Sequence, residues 1–232
     1  VGYFYITVKI FLLFQKVCNV FLNNFRPHIS QLYAKSQIKS IDFIFQFLNQ
    51  KLLGFTLFFS ALLMILNKYF IEFWVGKEFY IGSEFSILFG FAIVLDILTI
   101  PSRIVLTSSL FDIKYISYFR LSEAGFRCFG ILVFYQYFGL NIMPIMSIVS
   151  SILFGHFFFH FKLKKYFNVN FINSGKSNFR ILFSLTIIIL FLYTINEIDY
   201  FIYCILLLSI TLILGKLHNF IGEYKKLKFL LK

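Results

Sequence analysis

Phe25-Arg26-Pro27-His28-Ile29-Ser30 opens the stretch that decides the fold, and Phe73-Trp74-Val75-Gly76 closes it. Between them, an apolar run over residues 52–66 is flanked by Lys51 on one side and Tyr69 on the other. About 20 residues at 1.5 Å per residue span a hydrocarbon core of roughly 30 Å. Because basic residues mark one end and aromatic residues the other, the stretch predicts a membrane-crossing helix with a defined direction.

The composition supports a membrane protein along the whole chain. Its 232 residues are 59% hydrophobic and only 14% charged, and the mean hydropathy is +0.83. Water-soluble domains are about 45–50% apolar and about 25% charged. The composition therefore excludes a soluble globule and predicts an all-α, polytopic transmembrane helical bundle.

Seven spans are predicted, the third of which contains Pro101 and should kink or break there. Residues 36–52 carry apolar side chains at alternating steps of three and four, which predicts a helix on the membrane surface. The spans cover residues 2–24, 51–72, 82–108, 117–139, 142–163, 179–195 and 199–217. They divide into a transmembrane lobe over 1–165, a cytoplasmic linker over 166–178, and an appended transmembrane hairpin with a basic tail over 179–232.

The basic residues give the orientation. Nearly all lysines and arginines fall in connections on one side, while Lys68 and Lys77 fall on the other and Lys9 and Lys16 lie within the first span. The basic side is predicted to be cytoplasmic, and so is the C-terminus. The net charge of +12 is explained by this topology, so no nucleic-acid partner is predicted.

A polar stripe follows the first span. At 100° per residue, its members fall within about 80° of one face. They are Tyr5, Lys9, Lys16, Asn19 and Asn23. The pattern predicts a face towards a water-filled cavity, with Lys9 and Lys16 as candidate substrate ligands. The alternative is snorkelling, in which Lys9 reaches the membrane interface along its own aliphatic stem.

The third span repeats this pattern with Asp96, Thr99, Arg103 and Thr107 on one face. Asp96 lies roughly 20 Å from the start of its span at 1.5 Å per residue, a depth similar to that of Lys16. We therefore predict that these two side chains pair, with Asp96 serving in coupling or charge pairing and Arg103 as a further substrate ligand. The alternative is a buried ion pair with a purely structural role.

Two pairs have the i, i+4 spacing of neighbours on a helix. Glu123 and Arg127 favour a local ion pair, and Arg127 is also a candidate ligand for an anionic group at the mouth of the cavity. His156 and His160 lack an acidic or thiol partner nearby, so no metal site is predicted. The sequence shows no paired-carboxylate site, no glycine-rich phosphate loop and no Ser/His/Asp set in a common loop, so we predict neither enzymatic activity nor a cofactor.

The order of these features resembles polysaccharide and O-antigen flippases of the multidrug/oligosaccharidyl-lipid/polysaccharide exporter superfamily. The resemblance covers about residues 1–165 and rests on four features in order. These are Arg26-Pro27-His28-Ile29-Ser30-Gln31-Leu32-Tyr33-Ala34 after a span, Phe73-Trp74-Val75-Gly76 ending the next span, Pro101 followed by Thr107-Ser108-Ser109, and Gly139 between the fourth and fifth spans.

The resemblance implies the C-terminal lobe of a two-lobe fold with a central cavity. It also implies transport of undecaprenyl-diphosphate-linked oligosaccharide across the bacterial cytoplasmic (inner) membrane by alternating access, for surface polysaccharide biosynthesis. The chain lacks an initiator Met and begins within an apolar run, so we expect it to be the later part of a longer protein. Its expected partners are an N-terminal lobe of the same protein, the lipid-linked oligosaccharide and membrane lipids.

Two other functions remain open. A drug or cation exporter of the same superfamily is expected to line its cavity with acids, whereas the stripes here are mainly cationic. A membrane glycan polymerase or ligase is expected to carry catalytic groups on a large outer loop, whereas the outer loops predicted here, Gly139 to Pro144 and Asn196 to Asp199, are short.

Overall fold

In a computed structural model, residues 2–109, 113–159 and 161–163 are described, and they are helical apart from short connections. The helices are α1 (Gly2–Asn23), α2 (Arg26–Ala34), α3 (Ile38–Trp74), α4 (Ser83–Leu98), α5 (Ile100–Ser109), α6 (Ile113–Phe138) and α7 (Ile142–Ser150), followed by a π-helix (Ser151–Phe158). Short 3₁₀ turns lie at Lys77–Phe79 and Gly139–Asn141. The described protein is therefore all-helical, as predicted.

α3 is one continuous helix of 37 residues, about 55 Å long at 1.5 Å per residue. It differs from the expected arrangement, in which a surface helix over residues 36–52 precedes a separate span. The apolar side chains Ile41, Phe45 and Leu48 are buried in the same hydrophobic core as Ile29 of α2. The apolar side chains of this pattern do form a contact face. The face packs against other helices of the protein and not against the membrane surface.

α4 lies at the centre of the described structure and packs against α1, α3, α7 and the π-helix. In the segment it forms with α5, 72% of an apolar stretch of 18 residues is buried, a larger share than in the other membrane-length segments of the described chain. The predicted break at Pro101 is confirmed, because α4 ends at Leu98 and α5 begins at Ile100. Pro101 has no N–H to donate to the carbonyl four residues earlier, and the Thr99 hydroxyl donates to the Asp96 carbonyl at 2.8 Å.

α6 and α7 form an antiparallel hairpin that closes at Gly139. This residue has a φ of +54°, a conformation that glycine adopts without steric cost. Along the hairpin, Gly130 allows the Met146 side chain to approach the α6 backbone closely. Further from the turn, the rings of Phe119 and Phe158 stack with their centroids 3.6 Å apart.

Buried polar side chains fix how the helices sit against one another. Asn67 of α3 donates to the Thr7 carbonyl of α1 and to the Ser86 hydroxyl of α4, both at 3.1 Å. Ser60 of α3 donates to the Gly90 carbonyl of α4 at 3.1 Å. Such bonds are specific in geometry, so they set the register in which α1, α3 and α4 pack.

Four segments within the described residues are long and apolar enough to cross a membrane: Gly2–Ala34, Ile38–Trp74, Ser83–Ser109 and Ile116–Leu163. The last one doubles back at the Gly139 turn and contains both the fourth and the fifth predicted spans. This architecture is compatible with a membrane-embedded protein. The predicted linker over 166–178 and the appended hairpin over 179–232 lie outside the described residues.

Candidate functional site

Asp96 joins helices from different parts of the bundle near the middle of the α4–α5 segment. Gln15 of α1 donates to Oδ2 of Asp96 at 2.9 Å. Ser151 of the π-helix and Arg127 of α6 both donate to Oδ1, at 3.0 and 3.3 Å. One carboxylate therefore binds α1, α6 and the π-helix to α4.

Glu123 is the second acid of this cluster, and only 3% of its side chain is exposed. It accepts a hydrogen bond from Arg127 Nη2 at 2.7 Å and forms a second ion pair with Arg120. Arg127 also donates to the Ser150 and Ser151 hydroxyls. Two arginines of α6 thus share one buried carboxylate, and the ion pair predicted between Glu123 and Arg127 is confirmed.

The helix period explains why these groups meet. Residues 120, 123 and 127 recur at steps of three and four along α6, so their side chains project from one face. That face packs against the end of α7, where the hydroxyls of Ser150 and Ser151 meet Arg127. At Ser151 the chain passes from α-helical to π-helical hydrogen bonding, a local irregularity that frequently accompanies functional sites.

The cluster carries more positive than negative groups. Arg103 of α5 lies within electrostatic reach of Asp96, Glu123 and Arg120. With Arg127, three guanidinium groups therefore face two carboxylates. Among the described residues, the buried atoms Arg103 Nε, Arg120 Nη2 and His156 Nε2 have no hydrogen-bond partner. Arg103 and Arg120 therefore leave spare donors in the cluster, which is chemically suited to hold an anion or to exchange partners when helices move.

The predicted pairing of Lys16 with Asp96 is wrong. The partners of Asp96 are Arg127, Ser151 and Gln15, the residue directly before Lys16. Consecutive residues on a helix point about 100° apart, so the contact that Gln15 makes turns Lys16 away from α4. Lys16 is exposed in the described structure.

The polar stripe of α1 lies mostly on the open side of the bundle. Lys16 and Asn23 are exposed, and Tyr5 is 53% exposed. Lys9 donates to the Tyr5 hydroxyl at 2.7 Å and lies 4.5 Å from the centroid of the same ring. Within the described part of the chain, neither Lys9 nor Lys16 is paired with a carboxylate.

Asn19, the fifth member of that stripe, is half-buried, and its amide donates to the Gln15 carbonyl at 3.1 Å. The predicted ligands therefore fall into two groups. Lys9 and Lys16 lie on the open face of α1, whereas Arg103 and Arg127 belong to the buried cluster around Asp96. Their roles as substrate ligands stay predictions.

The structure describes one residue of the His156 and His160 pair. His156 lies in the π-helix close to Leu95 and Asp96, and His160 lies outside the described residues. No group of three His, Cys, Asp or Glu side chains suited to a metal ion occurs in the part of the chain that the structure describes.

Sequence reasoning missed four members of the cluster: Gln15, Arg120, Ser150 and Ser151. A signal was present, because each is a polar side chain inside an apolar segment of membrane length. Gln15 was overlooked because the charge of its neighbour Lys16 dominated the helical projection. The two serines were overlooked because small hydroxyls bond to the backbone of their own helix in many membrane helices.

Within the described residues, the protein is all-helical, with segments of membrane length and an ionic cluster between those segments. No family model, no curated protein and no solved structure matches this chain.

Proposed function

We propose that this protein flips undecaprenyl-diphosphate-linked oligosaccharide across the bacterial cytoplasmic membrane for surface polysaccharide biosynthesis. The proposal combines the order of sequence motifs with the charge distribution of the described helices. In this proposal the protein is a transporter that works by alternating access and carries out no covalent chemistry.

The observation that carries the proposal is the open cationic face of α1. Lys16 projects from α1 about 21 Å from the start of the helix and about 10 Å from its end at 1.5 Å per residue, without a carboxylate partner in the described structure. A charged side chain at such depth is costly in hydrocarbon and persists where it meets water, a ligand or a counter-charge. A diphosphate group supplies that counter-charge.

In the proposed mechanism, Lys16 binds the diphosphate from the cavity, and Lys9 extends the same face. Arg103 adds a further, partly shielded positive group, because its Nε is buried and has no hydrogen-bond partner among the described residues. Arg127 meets the substrate only if its bonds to Asp96 and Glu123 exchange. Asp96 then binds Arg127 in one arrangement of the helices and releases it in the other.

The open polar face of α1 also needs a second surface opposite it to complete a water-filled cavity. We propose that a second transmembrane lobe of the same protein lies opposite α1, so that the stripe lines a cavity between lobes. The proposed location is the bacterial inner membrane, with the basic ends of the helices in the cytoplasm, as the distribution of Lys and Arg favours.

The test uses cells with the intact gene, cells with the gene deleted, and deleted cells complemented with the gene. The lipid-linked oligosaccharide is quantified in each leaflet. A flippase predicts that complete repeat units accumulate in the cytoplasmic leaflet on deletion and return to normal on complementation. Complementation with a Lys16→Ala variant should restore little transport although the protein is present.

Two results would contradict the proposal and favour a different function. If the units reach the outer leaflet but stay unpolymerised, the protein is a glycan polymerase or ligase. If the lipid-linked oligosaccharide is unchanged in amount and in leaflet, the protein is better explained as a drug or cation exporter.

A further inference from the structure

An aromatic groove runs along the outer side of the hairpin, between α6 and the π-helix. It encloses about 540 Å³ and is open on one side. Its walls are Phe119, Phe126, Leu153, Phe154, Phe158 and Phe161. Phe154 lies at its centre, because its ring centroid is 5.4 Å from those of both Phe119 and Phe126.

The side chains that line the groove are not members of the ionic cluster. On α6, Phe119 and Phe126 precede Arg120 and Arg127 by one residue each, so they project about 100° away from those arginines. The open wall includes Leu153 and Phe161, which are 49% and 68% exposed. Among the described residues nothing covers this wall, so in a membrane this part of the chain leaves it open to lipid chains.

Positive groups lie at one end of the groove. The Lys162 ammonium is 5.8 Å from the centroid of the Phe158 ring, and the Arg120 guanidinium is 5.8 Å from that of Phe159. Both cations belong to the basic end of the hairpin, away from the Gly139 turn. Around Phe126, by contrast, the walls of the groove carry only hydrocarbon side chains.

We propose that this groove is a binding site for an anionic phospholipid of the surrounding bilayer. One acyl chain lies along the six groove side chains, and the phosphate lies beside Lys162. Basic pockets at the ends of membrane helices select anionic head groups in this way. The inference concerns a site distinct from the α1 face and does not depend on the proposed transport function.

The groove is long enough for only part of one acyl chain. Phe119 and Phe126 are seven residues apart, which is about 10 Å along α6. That length is shorter than the roughly 15 Å of hydrocarbon in one leaflet, half of the core thickness. The groove therefore holds the part of the acyl chain near the head group. The head group of the bound lipid then lies close to Lys162, so the charge of the head group affects binding.

A fluorescence experiment on the full chain tests the site. Trp74 is the only tryptophan, so a Trp74→Phe, Phe154→Trp protein reports on the centre of the groove. In vesicles, quenching by brominated phosphatidylglycerol is compared with quenching by brominated phosphatidylcholine. The site predicts about fivefold preference for the anionic lipid, the effect of one basic residue near a membrane surface.

Controls separate the site from general attraction to a basic protein. A reporter at Leu132, which is 79% exposed on α6 outside the groove, should show no preference. Adding Lys162→Gln to the groove reporter should abolish most of the preference, Lys162→Arg should retain it, and Lys68→Gln should not change it. Equal quenching by both lipids at position 154 would overturn the proposal.

A second measurement does not need a mutated groove. Lipids retained by the purified wild-type protein and its Lys162→Gln variant are identified by native mass spectrometry. Retention of phosphatidylglycerol or cardiolipin by the wild type, reduced several-fold in the variant, supports the site. Retention of polyprenyl phosphate in place of phospholipid, or of the same lipids in both proteins, contradicts it.

Discussion

The open face of α1 and the cluster around Asp96 are both charged, and both lie within membrane-length helices. They differ in whether their charged side chains are buried and paired. In the cluster, Glu123 is buried and shared by Arg120 and Arg127. On α1, Lys16 is exposed and has no carboxylate partner among the described residues. The same kind of residue therefore has a different energetic setting in each region.

The difference separates charges that hold the bundle together from charges that are available to a ligand. A buried ion pair is sensitive to loss of one partner, because the other charge then remains in a medium of low dielectric constant. An unpaired charge on an open face contributes little to packing. Removing it should affect what binds there and leave the fold intact.

The largest effect is expected for Glu123→Ala. This change leaves Arg120 and Arg127 without their shared counter-charge, and breaking a buried pair costs about 3–5 kcal/mol. The detergent-solubilised protein should lose much of its thermal stability in a melting experiment monitored by aggregation. Glu84→Ala, at an exposed position of α4, is the matched control and should melt like the wild type. Equal melting of both variants would show that the cluster does not hold the helices together.

Lys16→Ala should give the opposite result, with normal melting and impaired transport. A hydrogen bond to a charged group contributes about 1.5–3 kcal/mol, which corresponds to roughly 10- to 100-fold in transport rate. The assay is leaflet-resolved measurement of lipid-linked oligosaccharide. Lys68→Ala at an exposed site on α3 is the control, and Lys16→Arg should recover part of the rate. A destabilised Lys16→Ala protein would place Lys16 with the structural charges.

Asp96→Asn tests whether the cluster also takes part in transport. The amide keeps a side chain of the same size but removes the charge that faces Arg127, so we expect about 1–2 kcal/mol less stability. If Asp96 carries or controls a coupling proton, the transport rate of the variant should no longer depend on pH and membrane potential. A rate with the same dependence as in the wild type removes Asp96 from coupling.

The smallest effect is expected for Gln15→Leu, which removes the one α1 hydrogen bond to Asp96. A single neutral-to-charged hydrogen bond at a half-buried site should contribute about 1 kcal/mol. The variant should melt slightly earlier than the wild type while Gln31→Leu, at an exposed position of α2, does not. A loss as large as that of Glu123→Ala would mean that α1 depends on this bond for its position.

Much of the architecture follows from local signals in the sequence. Apolar runs of membrane length predict the helices, Pro101 predicts the break between α4 and α5, and Gly139 predicts the turn between α6 and α7. These features depend on hydropathy and on the backbone chemistry of single residues. The i, i+4 pair Glu123 and Arg127 is equally local, and it is present as predicted.

What sequence reasoning could not give is which helix faces which. The pairing of Lys16 with Asp96 was inferred from equal depth alone, and a rotation of α1 by about one residue is enough to place Gln15 there. The partner of the apolar stripe in α3 was misassigned for a related reason. Amphipathicity shows that Ile41 and Phe45 share a face, but it does not distinguish protein from membrane as the contact.

The most direct test of the account is the water accessibility of position 16. Cys18, Cys128 and Cys204 are replaced by Ser, and single cysteines are introduced at Lys16 and, as a buried comparison, at Ser150. Membranes are treated with a charged, membrane-impermeant methanethiosulfonate reagent from either side. The account predicts rapid labelling at position 16 and little labelling at position 150. No labelling at position 16 from either side would show that α1 turns this face to lipid, and the proposed cavity would be wrong.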